Sequence, residues 1–468
     1  MYGSTEHIIP YYAEKNECST LCKVNSMKKY LLIFIVALTV VMAAGGVVLY
    51  VMNGQKNVNA QNTEAAVQTE NSDSGSTAEG VTESVSGDIM VSLTGLGAVS
   101  EDSVSEDTIS EEEALRQAEL ERQEMLQAIK DGNPAITMEM VVEETESDPD
   151  GVYTLGFAGD ILFDPNYAIY NHFRQTGFDL NSCVKNGLLE EMNNVDFMMV
   201  NNEFPYSDEG SPQANKTYTF RAPLEAIDYM KGMGVDAASV ANNHAFDYGE
   251  AAFLDTLEVM EENEIPHVGG GMNLEEASRP LYLYMDDYKV AIVASSQIER
   301  MGTPHSKGAT ADSPGMLRSY ADIEPTLAAI REAKENSDYV ILFIHWGTEK
   351  EVNPDWCEAE QLPQFIDAGA DCIIGAHPHI LQPIDYVNGV PVVYSMGNFW
   401  FNSKTLDSCM IELEMKDGEL AGLKFIPCLQ SGCTVKKLDG ADADRLLDYM
   451  RSISPNVNID EEGYVTPK

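Results

Sequence analysis

The 468-residue chain is predicted to be an α/β protein whose folded domain follows one transmembrane helix and a disordered acidic stretch. Three observations predict this organisation. Short apolar runs alternate with helical stretches beyond residue 151, one uncharged apolar segment lies near the N-terminus, and acidic residues dominate between the two. Alternating strands and helices are typical of a sheet with helices packed against its faces.

The uncharged segment comprises residues 30–52, and its 23 residues are enough to span a bilayer core. Lys28 and Lys29 precede it directly, so the positive-inside rule predicts a cytoplasmic tail over residues 1–29 and an extracellular main domain. A cleaved signal peptide is the alternative, since residues 43–45 are small. The apolar run continues past that point, which favours an uncleaved signal-anchor in the cell membrane.

Negative charge dominates the rest of the chain, because 76 acidic and 29 basic side chains give a formal net charge of −47. Residues 53–150 carry 23 acidic and four basic side chains, which predicts a disordered linker with a short helix near residues 110–130. The remaining residues, 151–468, are predicted to form a single domain. This charge argues against nucleic acid as a partner, and an anionic polymer would need cations to mediate the contact.

Seven apolar runs in the domain predict buried strands, and three longer stretches between them predict helices. The predicted strands are residues 153–158, 195–200, 237–240, 289–294, 339–344, 371–375 and 390–394, and the predicted helices are 224–233, 251–263 and 323–336. Near the C-terminus, residues 409–415 and 420–429 predict an antiparallel pair that turns at Asp417 and Gly418. Six cysteines lie in this domain, and the sequence leaves open whether they form disulfides or remain buried thiols.

Polar motifs follow five of the predicted strands. They are Gly159-Asp160, Asn201-Asn202-Glu203, Asn242-Asn243-His244 with Asp247, His345-Trp346-Gly347, and His377-Pro378-His379. Ligand sites in open α/β sheets lie beyond the carboxyl ends of the strands, so these five motifs are expected to converge. Carboxylate, imidazole and amide oxygen together suit a divalent ion such as Zn, Mn or Fe. The sequence therefore predicts a site for one or two divalent metal ions.

These motifs, in this order and with Tyr394-Ser395 and Gly397-Asn398-Phe399 after them, resemble those of the poly-γ-glutamate capsule-synthesis (CapA/PgsA-type) family. That family is related to the calcineurin-like metallophosphoesterases. The resemblance covers about residues 153–401. It implies a metallophosphoesterase-like β-sandwich flanked by helices, in a membrane-anchored domain outside the cell.

The resemblance also implies a role for each matching residue. Asp160 and His379 would bind a first ion, Glu203 would bridge two ions, and Asn243, His345 and His377 would bind the second. His244 is then the candidate general acid, oriented by the carboxylate of Asp247. Two further residues have open alternatives: Arg221 grips a phosphate or carboxylate of the substrate or forms a surface salt bridge, and Asn398 positions a metal-bound histidine or serves a turn.

One position departs from the pattern of the related phosphoesterases. Their first motif reads Asp-x-His, whereas this chain has Asp160, Ile161 and Leu162. The first ion therefore lacks one ligand, and only Asp164 is close enough in sequence to compensate. This departure favours a site with a single ion, or one that takes a first ion only with substrate.

Two functions follow as hypotheses. The first is a membrane-anchored metal-dependent hydrolase or transferase of capsule or poly-γ-glutamate biosynthesis, which acts on an anionic envelope polymer. The alternative is a non-catalytic accessory subunit of a polymer synthase or export complex that uses a degenerate metal pocket. The missing histidine favours the second hypothesis, and the presence of Asn243, His244 and Asp247 favours the first.

Overall fold

The structure, a computed structural model, describes residues 111–143, 151–298 and 307–468. The cytoplasmic tail, the predicted transmembrane segment 30–52 and most of the acidic linker lie outside these residues, so the expectations for them stay predictions. Within the described ranges, no helix is long and apolar enough to cross a membrane.

The described residues contain twenty strands. They are β1 (Glu139–Val141), β2 (Tyr153–Ile161), β3 (Val184–Lys185), β4 (Phe197–Asn202), β5 (Ala237–Ser239), β6 (His267–Val268), β7 (Gly270–Gly271), β8 (Leu281–Met285), β9 (Tyr288–Ser296), β10 (Gly315–Met316), β11 (Tyr339–His345), β12 (Cys372–Ala376), β13 (Ile384–Val387), β14 (Val390–Val393), β15 (Asn398–Trp400), β16 (Leu406–Lys416), β17 (Glu419–Ser431), β18 (Thr434–Lys437), β19 (Val457–Ile459) and β20 (Val465–Pro467).

Helices lie between many of these strands. They are α1 (Glu111–Lys130), α2 (Pro134–Thr137), α3 (Ala168–Gln175), α4 (Leu188–Asn194), α5 (Ile227–Gly232), α6 (Glu250–Glu262), α7 (Leu274–Ser278), α8 (Glu324–Asn336), α9 (Trp356–Ala368) and α10 (Gly440–Ile453), with short 3₁₀ turns at Leu180–Ser182 and Leu224–Ala226. All seven predicted strands are confirmed, with ends that differ by no more than three residues. The predicted C-terminal pair is confirmed as well, since β16 and β17 are antiparallel neighbours.

Two large sheets carry the fold. Sheet A has nine strands in the order β3-β18-β17-β16-β2-β4-β5-β6, with β15 beside β2, and its central strands β2, β4 and β5 are parallel. Sheet B has seven strands in the order β1-β8-β9-β11-β12-β14-β13, and β9, β11, β12 and β14 are parallel. The carboxyl ends of the parallel strands are the places where the polar motifs begin.

The two sheets pack on a shared apolar core. Side chains of successive residues in a strand point to opposite faces, so a strand buried on both sides reads as a continuous apolar run. In β4, Phe197 and Met199 enter the shared core, whereas Met198 and Val200 pack in the outer layer with helices α3 to α6. In β11, Phe343 likewise enters the shared core, while its neighbours pack with α8 and α9. The fold is therefore a mixed α/β arrangement of two sheets with helices on both outer faces.

The folded part of the chain begins earlier than the sequence predicted. Helix α1 lies where a short helix was expected, but β1, within the predicted linker, pairs in parallel with β8 and forms the edge of sheet B. The amide of Val142 donates to the carbonyl of Tyr284 at 2.9 Å, and Met138 and Val142 are buried in the shared core. Only these alternate apolar residues need to face the core, so an otherwise acidic stretch can complete the sheet edge. Residues 134–143, which were predicted to belong to a disordered linker, are thus part of the folded domain.

For five of the six cysteines of the domain, the structure decides between a disulfide and a buried thiol. Cys183, Cys372, Cys409, Cys428 and Cys433 are buried as thiols. They behave as small apolar side chains in the layers between sheets and helices.

Candidate metal centre

Sheet A supplies two carboxylates to the site. Asp160 stands near the end of β2, and Glu203 follows the last residue of the neighbouring parallel strand β4. Both side chains are fully buried. The carboxylate of Asp160 accepts a hydrogen bond from the Asn201 side-chain amide at 2.7 Å, which fixes its orientation. The strand register therefore places the two carboxylates at the same edge of the sheet.

A close backbone approach brings a further residue to Asp160. Strand β15 pairs with β2 so that Asn398 lies opposite Asp160. This approach depends on Gly159, because a Cβ atom there would lie 2.0 Å from the carbonyl oxygen of Gly397. His379 completes the arrangement, since its Nδ1 lies 2.9 Å from Asp160 Oδ2 and 2.8 Å from Asn398 Oδ1.

Sheet B supplies two imidazoles. His345 ends β11, and His377 follows the last residue of the parallel strand β12. Their facing ring nitrogens, His345 Nε2 and His377 Nδ1, are 3.0 Å apart, and the Asn243 side-chain oxygen lies 2.8 Å from His345 Nε2. Glu203 Oε1 is 3.5 Å from the same His345 nitrogen. Four donor atoms from four separate loops or strand ends thus point to one place.

The side chains form two groups that could hold a metal ion, and Glu203 belongs to both. One group is Glu203, His345 and His377, the other is Asp160, Glu203 and His379, and the donor atoms within each group lie within 4.8 Å of one another. This is the division that the resemblance implied. The structure therefore brings together all six residues proposed as metal ligands. Asn243 lies beside the group of Glu203, His345 and His377.

Glu203 provides the test of whether a cation fits this site. Neither of its carboxylate oxygens has a hydrogen-bond partner among the described residues, although both are buried. Burial and the neighbouring charge of Asp160 raise the pKa of Glu203 well above its ordinary value. Leaving a buried carboxylate without donors is costly, whereas a divalent cation would satisfy it. The donor set of carboxylates, imidazoles and an amide oxygen suits a borderline-to-hard divalent ion.

The histidine loop after β12 has an unusual backbone. His377 and His379 have positive φ angles of 97° and 61°, a region that non-glycine residues rarely adopt. Such strain persists where the surroundings over-determine the conformation, often at functional sites. Here the positive φ angles turn both histidine rings towards Asp160 and Glu203. Pro378 stands between the two histidines in the sequence.

The pKa values of two of these histidines shift in opposite directions. Burial lowers the pKa of His345 to about 3. Burial alone would also lower the pKa of His379, but the charges of Glu203 and Asp160 outweigh it and raise that pKa to about 9. Without a cation, His379 is therefore the protonated partner of the buried carboxylates.

His244 lies at the side of the two groups. Its Nδ1 is 2.6 Å from Asp247 Oδ2, and its Nε2 is 3.9 Å from Glu203 Oε1. Burial and the nearby charge of Lys216 outweigh the effect of Asp247 and lower the pKa of His244 to about 4. At neutral pH the ring is neutral, and with Nδ1–H donated to Asp247 its Nε2 faces the site as a proton acceptor.

Lys216 is a site residue that the sequence reasoning missed. Its buried Nζ donates to Asp247 Oδ1 and to the carbonyl of Asn243, both at 2.5 Å, and lies 3.3 Å from His244 Nδ1. It stands in a long loop after β4 without any periodicity that would mark it. In sequence, Lys216 lies between the motif that ends at Glu203 and the motif that ends at His244, and no local signal distinguishes it from a surface lysine.

Asp164 and Arg221, the two other candidates, make contacts that differ from those expected from the sequence. Asp164 does not compensate for Leu162, because its carboxylate accepts the backbone amides of Asn166 and Arg221 at 2.7 and 2.8 Å. The guanidinium of Arg221 lies 4.2 Å from the ring centre of Tyr248 and donates to a backbone carbonyl. Neither side chain belongs to the two metal-binding groups.

Three curated proteins show what this chain is similar to. The PGA biosynthesis protein CapA of Bacillus subtilis (strain 168) is 32% identical over 237 residues, which cover 50% of this chain and 61% of that protein. The capsule biosynthesis protein CapA of Bacillus anthracis is 30% identical over 267 residues, which cover 54% and 63%. A probable polyglutamine synthesis accessory protein of Mycobacterium tuberculosis (strain CDC 1551 / Oshkosh) is 25% identical over 281 residues, which cover 57% and 74%. The chain thus spans less than two thirds of the length of the first two relatives.

A family model also matches this chain. Residues 154–403 match the model described as bacterial capsule synthesis protein PGA_cap. That range contains both metal-binding groups, His244 with Asp247, and Asn398. Because the match spans more than half of the chain and every strand-end motif of the metal centre, the chain belongs to the bacterial capsule synthesis protein family PGA_cap.

Proposed function

We propose that this chain acts in capsule or poly-γ-glutamate biosynthesis through a metal-dependent hydrolase or transferase site of metallophosphoesterase-like design. One observation carries the proposal: the buried carboxylate of Glu203 has no hydrogen-bond partner among the described residues and is shared by two ligand groups. A carboxylate that bridges two ions a few ångströms apart is the central ligand of two-metal hydrolytic sites. The names of the Bacillus relatives support the biosynthetic context.

The proposal includes a location and partners. Residues 30–52 would anchor the chain in the cell membrane with a single pass, with the N-terminus in the cytoplasm and the domain outside. The substrate would be an anionic envelope polymer such as poly-γ-glutamate. Subunits of a polymer synthase or exporter would be its protein partners. The positive charge of Lys28 and Lys29 before the segment supports this orientation.

The resident cofactor would be one or two divalent ions, with Mn, Zn and Fe as the candidates. Asp160, Glu203 and His379 would hold one ion, and Glu203, Asn243, His345 and His377 the other. When bound, such ions supply Lewis acidity at a substrate oxygen and lower the pKa of a coordinated water. Since Leu162 stands where a ligand is expected, the group with Asp160 would bind its ion more weakly.

The other side chains would position the substrate and move a proton. His244 would accept a proton from the attacking water at Nε2, which faces the candidate centre, and would then pass that proton to the leaving group as the general acid. Asp247 holds the opposite ring nitrogen and so keeps the ring in this orientation. Asn398 orients His379 through its side-chain oxygen. Arg221 would contact an anionic group of the substrate from the rim of the site.

Metal analysis of the purified full-length chain tests the proposal. We expect one or two divalent ions per chain in the wild-type protein, and we expect His377→Ala to lose the ion that His345 and His377 share. His172→Ala, which makes the same change on helix α3 away from the centre, is the matched control and should keep the wild-type content. Absence of metal from all three proteins, after growth and dialysis with each candidate ion, would contradict the metal site.

A second function is favoured by one specific observation. Leu162 is buried where the related enzymes carry a ligand, and Asp164 is engaged elsewhere, so the first ion site is incomplete. A non-catalytic accessory subunit with a degenerate metal pocket would tolerate this loss. His244→Ala separates the two functions: an enzyme should lose polymer processing by several orders of magnitude, whereas an accessory subunit should support polymer production as well as the wild type.

A further inference from the structure

The surface segment that follows β4 turns one lysine into the domain. Four of its neighbours in the sequence are exposed: Ala214, Asn215, Thr217 and Tyr218. The side chain of Lys216, in contrast, is only 7% exposed. Lysine is rarely buried to this extent unless its charge is paired. The burial of this ammonium group therefore depends on the partners that it meets inside the domain.

The hydrogen-bond partners of Lys216 belong to one short loop, residues 243–247, which we call the acid loop because it carries the proposed general acid. Nζ of Lys216 donates to the backbone carbonyl of Asn243 and to Asp247 Oδ1, both at 2.5 Å. These acceptors belong to the first and the last residue of the loop. Within the loop, the amide of Asp247 donates to the carbonyl of His244 at 3.1 Å. One side chain from outside thus holds both ends of the acid loop.

Asp247 connects Lys216 to the ring of His244. While Asp247 Oδ1 accepts from Lys216, Asp247 Oδ2 lies 2.6 Å from His244 Nδ1 and accepts the amide of Phe220 at 2.7 Å. A carboxylate that is held on both oxygens cannot rotate without losing a donor. The ring of Phe220 also packs on that of His244, with 4.2 Å between the ring centres. The orientation of the His244 ring therefore depends on the ammonium group behind Asp247.

Asn243 connects Lys216 to the metal centre. The side-chain oxygen of Asn243 lies 2.8 Å from Nε2 of His345, while its backbone carbonyl accepts from Lys216. The backbone position of a residue limits where its short side chain can reach, so this hydrogen bond also restricts the side-chain oxygen. Groups that orient a metal ligand from outside typically affect metal affinity when they are removed. Lys216 therefore acts on a proposed ligand as well as on the proposed general acid.

We propose that Lys216 is the positioning residue of the acid loop, and that it fixes the ring of His244 and the side-chain oxygen of Asn243 in one arrangement. The inference deepens the proposed function and rests on it for the roles of these two residues. The arrangement itself can be measured without turnover. A buried ion pair that served stability alone could be replaced by a neutral pair without further loss, which separates the two roles of Lys216.

Cobalt binding to the full-length, metal-free chain tests the inference, with Co²⁺ as the probe because its visible absorption depends on its ligands. Lys216→Met keeps the length of the side chain and removes its donors. We expect it to weaken the affinity for the first equivalent of Co²⁺ about tenfold and to change the visible spectrum, because Asn243 is no longer held. Lys231→Met makes the same change at an exposed position of α5. This matched control should retain the wild-type affinity and spectrum.

A double variant separates positioning from stability. Lys216→Met leaves the buried carboxylate of Asp247 without its cation, so its thermal midpoint should fall by several degrees. The double variant Lys216→Met/Asp247→Asn removes that charge and should regain most of the midpoint. Its Co²⁺ affinity should stay low, because the carbonyl of Asn243 still lacks its donor. Recovery of stability without recovery of cobalt binding is the result expected of a positioning residue.

Hydrogen exchange measures the acid loop without any metal. In the metal-free double variant, amides of residues 243–247 should exchange about tenfold faster than in the wild type, as the loss of a charge-assisted hydrogen bond predicts. Amides of helix α5 should exchange at the wild-type rate, since no contact of this helix is removed. This measurement still applies if Lys216→Met alone does not fold.

Equal cobalt affinities of Lys216→Met and Lys231→Met overturn the inference. A double variant that regains cobalt affinity together with its stability overturns it as well, because the ion pair would then be structural only. If the wild type takes up no cobalt, the metal part of the proposed function fails and the exchange measurement alone decides. Fast exchange in the acid loop of the double variant then supports the positioning role, and exchange at the wild-type rate overturns it.

Discussion

At the scale of single residues, the candidate metal centre is a set of buried charges that satisfy one another only in part. Lys216 and Asp247 form a buried ion pair, and Asp247 also accepts the Phe220 amide at 2.7 Å and faces the His244 ring. Every oxygen of Asp247 therefore has a donor, and the residue is held rigidly. Glu203 differs, because no described donor reaches it. The contrast between these two carboxylates is what separates a positioning group from a candidate metal ligand.

The half-buried carboxylate of Asp236, away from the candidate centre, gives a test of pH dependence. Burial raises the pKa of Asp236 to about 6, and its carboxylate accepts the Met198 amide at 2.8 Å. A folded-state pKa above the unfolded value means that the folded chain binds more protons between pH 3.8 and about 6. The stability from this group is therefore present below that range and is lost as the pH rises through it.

We therefore expect Asp236→Asn to stabilise the protein by about 1–2 kcal/mol at pH 8 and to have little effect at pH 4. The asparagine oxygen can still accept the Met198 amide, so only the charge is removed. Urea unfolding at the two pH values measures the difference. Asp228→Asn, on an exposed position of α5, should show no such dependence, and an equal gain for Asp236→Asn at both pH values would refute the assignment.

At the scale of elements, strand register and strand ends decide where each motif lies. The parallel pairs β2–β4 and β11–β12 put Asp160 near Glu203 and His345 near His377 without any contact between residues close in sequence. The edge strand β1 has a different role. It contributes nothing to the metal centre but covers the edge of β8, which would otherwise expose unpaired backbone groups.

Truncation of a single side chain after β1 tests how strongly this segment belongs to the fold. Val142 is 4% exposed in the shared core, so Val142→Ala removes about two buried methylene equivalents and should cost about 1.5 kcal/mol of unfolding free energy. Ile136→Ala, at a position that is 43% exposed, should cost clearly less. Denaturant unfolding measures both, and equal losses would show that the segment does not depend on burial in the shared core.

At the scale of the whole domain, the two sheets are joined by contacts between side chains of one sheet and side chains of the other. The ring of Phe157 in sheet A lies 6.5 Å from that of Phe197 and 6.4 Å from that of Phe343 in sheet B, measured between ring centres. Ligands of the metal centre come from both sheets as well. The centre therefore exists only while the sheets stay packed, and its geometry depends on the shared core.

A cooperative core predicts that both outer layers unfold together. Trp400 packs in the outer layer of sheet A and Trp346 in that of sheet B, so variants that keep only one of them report on each layer separately. We expect coincident denaturant midpoints for the two reporters. Phe157→Ala should lower the unfolding free energy that each reporter gives by the same amount, about 3–5 kcal/mol. Two separate transitions would show that the sheets fold independently.

Sequence reasoning succeeded where the signal was local. The apolar runs predicted seven strands, since strands buried on both faces need continuous apolar residues, and the polar residues that follow five of them predicted that these motifs lie close together. It failed for β1, whose apolar residues are too few to stand out in an acidic stretch, and for Lys216, which has no neighbouring pattern. Asp164 was considered as a substitute ligand, but its proximity in sequence to Asp160 did not determine its contacts.

By itself, the sequence determined the α/β class, the strand-end motifs and the family to which the chain is similar, because each depends on residues close together along the chain. Only the tertiary structure decided that Glu203 is shared between two ligand groups and that Lys216 is paired with Asp247. These contacts join residues that are far apart in sequence. Their positions are set by the packing of two sheets on one core, which no local pattern encodes.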